Sequence, residues 1–300
     1  MFKLPSLSGL RAFEAAARHL SFTRAAQELY VTQGAISHQI RALEEELGYP
    51  LFNRLPRRVT LTEEGQILGQ ALTGAFEDIV GALAEIGRLQ QQGWLTVSAS
   101  PSFAVKWLVP RLDDFRAHHP EMDVRIAATD RLVDPRREPV DLCIRYGAAV
   151  STGLDAEVLI TDRVFPVCSP ALLHGARPLQ TPADLRHHRL LHDEMFLEHP
   201  DRPGWRRWAA LAGVSLEGAL SARFSHASMA LEAAVAGQGV ALGRSSLVAL
   251  DLAEGRLVQP FGPAFASSFS YRLVAAPGGL QRPRVKRLVA WLKTQAEDAG

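Results

Sequence analysis

Between Thr32 and Leu47 the sequence Thr-Gln-Gly-Ala-Ile-Ser-His-Gln-Ile-Arg-Ala-Leu-Glu-Glu-Glu-Leu sets hydrogen-bonding side chains against an apolar stripe. Ile36, Ile40, Leu43 and Leu47 recur at helical spacing, so a turn of about 100° per residue places Gly34, His38 and Arg41 opposite them. Gln33 and Ser37 fall on the flanks near the helix start. These residue types suit the edges of nucleic-acid bases. Glutamine can pair twice with adenine, arginine twice with guanine, and a glycine lets the backbone come close. Arg54, Arg57 and Arg58, with Thr23, Arg24 and Thr32, suit phosphate contacts, which supply affinity and orientation but little sequence information. A solvated helix face and ordinary surface arginines are the plainer alternatives.

The elements that must position these groups are legible around them. Leu7, Leu10, Phe13 and Ala17 form a buried helical stripe, with Ser6 placed to cap it. Ser21 opens a second helix carrying Phe22, Ala25, Ala26 and Leu29, and Thr32 opens the third, which Gly48 ends. Two short helices joined by a tight turn make a helix-turn-helix. In Leu51–Leu61 two strand-like runs flank Pro56-Arg57-Arg58, a basic wing.

From Thr62 to about Gln92 the chain reads as one helix, begun by Glu63 and Glu64, whose charges the helix dipole favours. Leu68, Leu72, Ala75, Ile79, Ala82, Ile86 and Leu89 alternate steps of four and three, the seam of a coiled coil. Such a helix calls for a second copy; burial against its own domain is the alternative. Beyond Gly93 strands alternate with helices, an α/β pattern. Strands are expected at Leu95–Ser100, Asp123–Ala128, Val140–Ile144, Val164–Cys168, Arg223–Ser225, Val240–Leu242 and Phe269–Ala275. Helices are expected at Ser102–Ala117, Gly204–Ala212, Ala227–Ala236 and Arg282–Ala296.

With 300 residues, 47% of them hydrophobic, the chain has material for about two domains. A net charge of +1 rules out bulk attraction to nucleic acid, so any basic footprint is local. No apolar run of about 20 residues marks a membrane span, and Met1–Leu20 carries Lys3, Arg11, Glu14 and Arg18 instead of a signal core, so a cytoplasmic location is expected. Cys143 and Cys168 sit in apolar runs and read as inert buried thiols.

The run Phe22–Gly48, continued by Leu51-Phe52, Arg54 and Leu61-Thr62-Glu63-Glu64-Gly65, resembles the LysR-type transcriptional regulators. Ser100–Leu112, Asp141–Gly147, Pro182–Leu185 and Ala234–Leu242 resemble that family's effector domain, notably the branch with the glycine-cleavage and β-lactamase regulators. The resemblance implies an α plus α/β protein with three parts. These are a winged helix-turn-helix at 1–62, a dimerising linker helix at 63–92, and a two-lobed effector domain like the periplasmic binding proteins at 93–300. Lobe one would comprise 93–162 and 266–300, and lobe two 163–265. It further implies a homodimer assembling to a homotetramer, double-stranded DNA and RNA polymerase as partners, and a small-molecule effector. In such lobes ligands sit at strand ends and helix starts. Ser100, Ser102, Phe103, Thr129, Ser225, His226 and Ser228 occupy such places, and Arg145 could meet a carboxylate of a small polar or anionic metabolite. Simple capping for the hydroxyls and an internal ion pair for Arg145 remain open.

No phosphate loop, dinucleotide fingerprint or Gly-x-Ser-x-Gly appears, and His118, His119, His187, His188 and His192 lack the ligand framework of a metal site. Neither catalysis nor a metal is expected. Two competitors to the effector-controlled regulator stay open: a ligand-independent architectural DNA-binding protein, and an enzyme with a DNA-binding appendage.

Overall fold

A computed structural model describes residues 4–55, 58–90, 94–148, 152–195, 199 and 203–297. The chain divides into two compact units, Met1–Ala84 and Glu85–Gly300.

In the first unit α1 (Leu7–His19), α2 (Phe22–Leu29) and α3 (Gln33–Leu47) enclose a core of Leu10, Phe13, Ala16, Ala25, Ile36, Ile40, Leu43, Leu51 and Phe52. Phe52 seals it, edge-on to Phe13 and Phe22 at 5.4 and 5.2 Å between ring centres. Ser21 and Thr32 cap as their types require, accepting from the amides of Arg24 and Ala35 at 3.3 and 3.2 Å. Ser6 occupies the first cap position, but its hydroxyl meets Ser8 Oγ and caps nothing. Leu7, expected in the buried stripe, is 68% exposed, because the core begins one turn later at Leu10. Strands β1 (Phe52–Leu55) and β2 (Arg58–Leu61) pair antiparallel as the wing; Pro56 and Arg57 at its tip lie outside the described residues.

The turn between α2 and α3 passes through Tyr30, a non-glycine residue at φ 56°, with its ring 96% exposed. The left-handed conformation costs a side chain with a Cβ about 1–2 kcal/mol, and this ring recovers nothing by packing. Tyr30→Gly is therefore expected to raise stability by about 1 kcal/mol. A lower midpoint in urea would show that the ring holds the turn in some other way.

Helix α4 runs Glu63–Gln90, and the division between the units falls within it. The sequence pattern predicts one continuous seam here, and the structure splits it. Leu72 is buried in the first unit's core and Leu68 packs against the same core, so these two positions serve their own domain. Ala75, Ile79, Ala82 and Ile86 are exposed, joined by Leu83, and Leu89 lies among side chains that are not described. The stretch Glu63–Ala84 is also long and apolar enough on average to cross a membrane, with mean hydropathy 1.2. Leu68 and Leu72 argue against that use, since a bilayer would have to strip them from the folded core.

The second unit is built on an eight-stranded sheet: β3 (Trp94–Ala99), β4 (Asp123–Ala128), β5 (Leu142–Gly147), β6 (Asp155–Val167), β7 (Leu190–Asp193), β8 (Ser221–Phe224), β9 (Val240–Arg244) and β10 (Phe265–Ala275). The order is β4-β3-β5-β10-β6-β9-β7-β8. Strand β3 is parallel to β4 and β5, and β7 is parallel to β8 and β9, so each lobe has its own parallel core. The antiparallel strands β6 and β10 run between these cores. β6 pairs with β10 over most of its length and with β9 from Val164 onward, which is how the chain passes from one lobe to the other. Both strands begin earlier than their apolar runs suggest, at Asp155 and Phe265, because polar residues such as Glu157, Thr161, Ser267 and Ser268 interrupt their first halves.

Helices α5 (Pro101–Phe103) and α6 (Leu112–His118), joined by a wide turn at Ala104–Leu108 and a tight one at Val109–Arg111, replace the single helix expected from Ser102 to Ala117. Pro110 cannot donate an amide in the helix ladder, which accounts for part of this break. Helices α7 (Trp205–Ala212), α8 (Ala227–Val235), α9 (Ser245–Ala253) and α10 (Pro283–Glu297) complete the unit. α9 and β7 have no counterpart among the expected elements.

Candidate functional site

On α3 the described side chains sort as helical spacing requires. Ile36, Ile40 and Leu43 are buried, Gln33, Gly34, His38 and Arg41 are exposed, and Ser37 is half-buried. Gly34 has nothing but the Thr32 hydroxyl within 4 Å of a built-on Cβ, so the helix start is open to close approach. Thr23 and Arg24 are exposed on the first turn of α2, and Thr32 is exposed while its hydroxyl caps α3. Of Arg54 and Arg58 only the backbone is described, on β1 and β2, and Arg57 is outside the described residues.

Behind this face an ion network ties α1 to α2. Arg18 donates to Glu14 Oε1 at 2.9 Å and Glu28 Oε1 at 2.6 Å, and His19 Nε2 lies 2.6 Å from Glu28 Oε2. The hydrogen bond from Arg18 holds the Glu28 carboxyl down at about 2. Glu44 accepts from the amides of Leu51 and Phe52 at 2.8 and 3.2 Å, fixing where the wing leaves α3.

In the second unit the candidate residues divide. Ser102 Oγ accepts from the amide of Ser228 at 3.0 Å and lies 3.3 Å from Ser228 Oγ, so a lobe-one hydroxyl caps the lobe-two helix α8. His226 Nε2 lies 2.6 Å from Asp130 Oδ2 and its Nδ1 2.8 Å from Ser225 Oγ, a second link between the lobes. Ser100 is buried, and Thr129 Oγ1 accepts from the amide of Arg131 at 3.2 Å, a local turn bond. Two expectations need correction. Phe103 is fully buried between Trp107 and Tyr271, at 4.8 and 4.4 Å between ring centres, and is a core residue with no face left for a ligand. Arg145 donates to Ser98 Oγ at 2.6 Å and to the carbonyls of Thr129 and Arg131, both at 3.3 Å. It clamps the loop after β4, since its position mid-strand aims it across β3 and not into the cleft.

Other residues, distant in sequence, line a cavity between the lobes. A cavity of about 160 Å³ is walled by Tyr146 from lobe one and by His192, Asp193, Trp205, Arg223 and Arg244 from lobe two. Arg244 ends β9 with its guanidinium buried. It lies 4.3 Å from the Tyr146 ring centre and 5.8 Å from that of Tyr271. Burial works against its charge, and Tyr271, Tyr146, Asp193 and Asp162 outweigh that, so Arg244 stays protonated. The signal was present as a lone arginine closing the apolar run Val240-Ala-Leu-Gly-Arg244. Cys143 and Cys168 are both buried, and desolvation pushes each thiol up to about 11, as inert thiols require.

Comparison with known proteins agrees with both halves. Residues 7–66 match the bacterial regulatory helix-turn-helix of the lysR family, and residues 88–297 match the LysR substrate binding domain. The glycine cleavage system transcriptional activator of Escherichia coli K12 is 42% identical over 295 residues, covering 98% of this chain and 95% of that protein. The transcriptional activator AmpR of Pseudomonas aeruginosa is 39% identical over 292 residues, 97% of this chain and 95% of its own length. The solved effector domain of that AmpR is 32% identical and superposes with a TM-score of 0.56, covering 68% of this chain and 96% of the domain. Helix-turn-helix, wing and two-lobed α/β unit, matched over nearly the whole length by these relatives, establish that the chain belongs to the LysR family of transcriptional regulators.

Proposed function

We propose that the protein reads a two-fold-related duplex site with paired α3 helices and that a small molecule held between its lobes controls the output. The observation that carries the DNA half is the exposed set Gln33, Gly34, His38 and Arg41 backed by a closed core. Recognition helices present such N-terminal residues to the major groove. The exposed Ile79, Leu83 and Ile86 of α4 recur at steps of four and three, which favours a coiled-coil dimer over that segment, assembling further to a tetramer. The cavity under Arg244 and the links from Ser102 and His226 support lobe closure around an effector as the controlling event. The cell location is cytoplasmic, and RNA polymerase is the partner through which bound protein acts.

Selection of binding sites from a random duplex pool tests this reading. The wild-type protein is expected to recover an inverted repeat. Arg41→Ala should lose preference at one base pair of each half-site, worth about 1–3 kcal/mol, whereas Arg24→Ala should weaken all sequences alike and flatten the salt dependence. Matching profiles for the two variants would refute the division between base and backbone contacts.

A further inference from the structure

Arg244 is 5% exposed, yet its side chain lines the cavity between the lobes. Among the described residues its Nη2 has no hydrogen bond, and the nearest carboxylate oxygen, Asp193 Oδ2, is 3.5 Å away. A charge-assisted bond would be about 2.7–2.9 Å. The second acid nearby, Asp162, is bonded through Oδ1, which accepts from Ser245 Oγ at 3.1 Å and from the Ser246 amide at 2.8 Å, while its buried Oδ2 has no hydrogen bond among the described residues. Tyr146 and Tyr271 lie over the guanidinium, and their ring faces stabilise its charge. A buried cation so placed has spare donor capacity, which is costly in a protein interior.

The rest of the wall favours the same occupant. Among the described lining residues of fixed charge, Arg206, Arg223 and Arg244 stand against Asp193, and Arg223 also meets Glu194 at 3.1 Å. The volume of about 160 Å³ is below the roughly 300–1,000 Å³ of drug-sized sites, so the occupant is small. We propose that Arg244 anchors a carboxylate and that the cavity takes small organic acids. This rests on the reading of the cleft as the effector site and names the ligand class that the site accepts. Binding at Arg244 would engage lobe two directly and bring charge beneath Tyr146 of lobe one, so occupancy would favour the closed arrangement of the lobes.

The test uses the full-length protein and a panel of two- to five-carbon acids, including 2-oxo, 2-hydroxy and 2-amino acids, each with its neutral amide at matched ionic strength. Trp205, on the cavity wall, reports occupancy by fluorescence, and the melting temperature reports it independently. At least one acid is expected to give a saturable change in both signals, with its amide about tenfold or more weaker. Arg244→Lys keeps the charge but loses the planar fork, and should weaken the same acid about tenfold. Equal response to acid and amide, no response to any acid, or an unchanged Arg244→Lys protein would overturn the proposal. If that variant does not fold, the comparison of acid with amide in the wild type decides alone. Failure here is separable from failure of the effector reading, which would show instead as DNA binding indifferent to a whole metabolite extract.

Discussion

Gly65→Ala is expected to unfold the N-terminal unit at markedly lower temperature, although alanine is the better helix former by about 1 kcal/mol. A Cβ at position 65 would stand 2.2 Å from the carbonyl oxygen of Leu51, a backbone atom with nowhere to go. That carbonyl is already held by the Thr62 amide at 3.0 Å, while Thr62 Oγ1 donates to Pro50 O at 2.9 Å and accepts from the Gly65 amide at 3.0 Å. The start of α4 is thus locked onto the segment entering the wing. Relief of the clash must push α4 outward and draw Leu68 and Leu72 from the core that α3 rests on. Overpacking against fixed atoms costs about 3 kcal/mol, or roughly 12–24 °C for a domain of this size. Gly74→Ala is the control. The same helix offers nothing within 4 Å of a Cβ there, so it should gain up to about 1 kcal/mol. Calorimetry of the two variants would settle the matter: shifts of the same sign would mean that helix propensity, not the seat on Leu51, governs this segment.

Lys106→Met should destabilise the second unit by about 3–5 kcal/mol. Lys106 is 9% exposed and bridges Glu232 Oε1 at 2.6 Å and Asp251 Oδ2 at 3.0 Å. Its own turn follows β3, whereas Glu232 is on α8 and Asp251 on α9, so the ammonium joins the two lobes. Asp251 is 1% exposed and, among the described residues, keeps Arg256, at 2.7 Å, once the lysine is gone. Most of the cost lies in stranding that carboxylate. Lys106→Met with Asp251→Leu should therefore recover most of the lost stability, because removing both charges removes the desolvation penalty. A double variant as unstable as the sum of the singles would mean that packing, not charge, is what Lys106 supplies. Weakening this bridge without the clash of a fold defect should also loosen lobe closure, read as a changed response of DNA binding to effector.

How far sequence alone reached depended on the range of the interactions involved. The helix-turn-helix was legible because each of its determinants is local: Ser21 and Thr32 cap, Gly48 stops, and Ile36, Ile40 and Leu43 fall on one face within a few turns. The polar, exposed side of α3 follows from the same periodicity. The alternation of strands and helices after Gly93 was likewise visible in apolar runs.

The seam of α4 was legible only in part. Steps of four and three mark a stripe that must be covered, but they do not say by what. Leu68 and Leu72 are covered by their own domain because the Thr62 and Gly65 seat lays the helix start on that core, leaving Ile79, Leu83 and Ile86 exposed. The contacts between the lobes were the least legible. Helix starts pointed to Ser102 and Ser228 without showing that one caps the other across lobes 126 residues apart in sequence. Phe103 and Arg145 turned inward, since their surroundings are set by strands far along the chain. Arg244, Tyr146 and Asp193 come from three separate segments, and only the crossing of β6 and β10 between the lobes brings them to one cavity. Sequence by itself thus determined what each segment folds into and which face of α3 is polar, because those are decided within a few residues. Tertiary structure alone decided which buried charge faces the cleft, because that depends on how distant strands are paired.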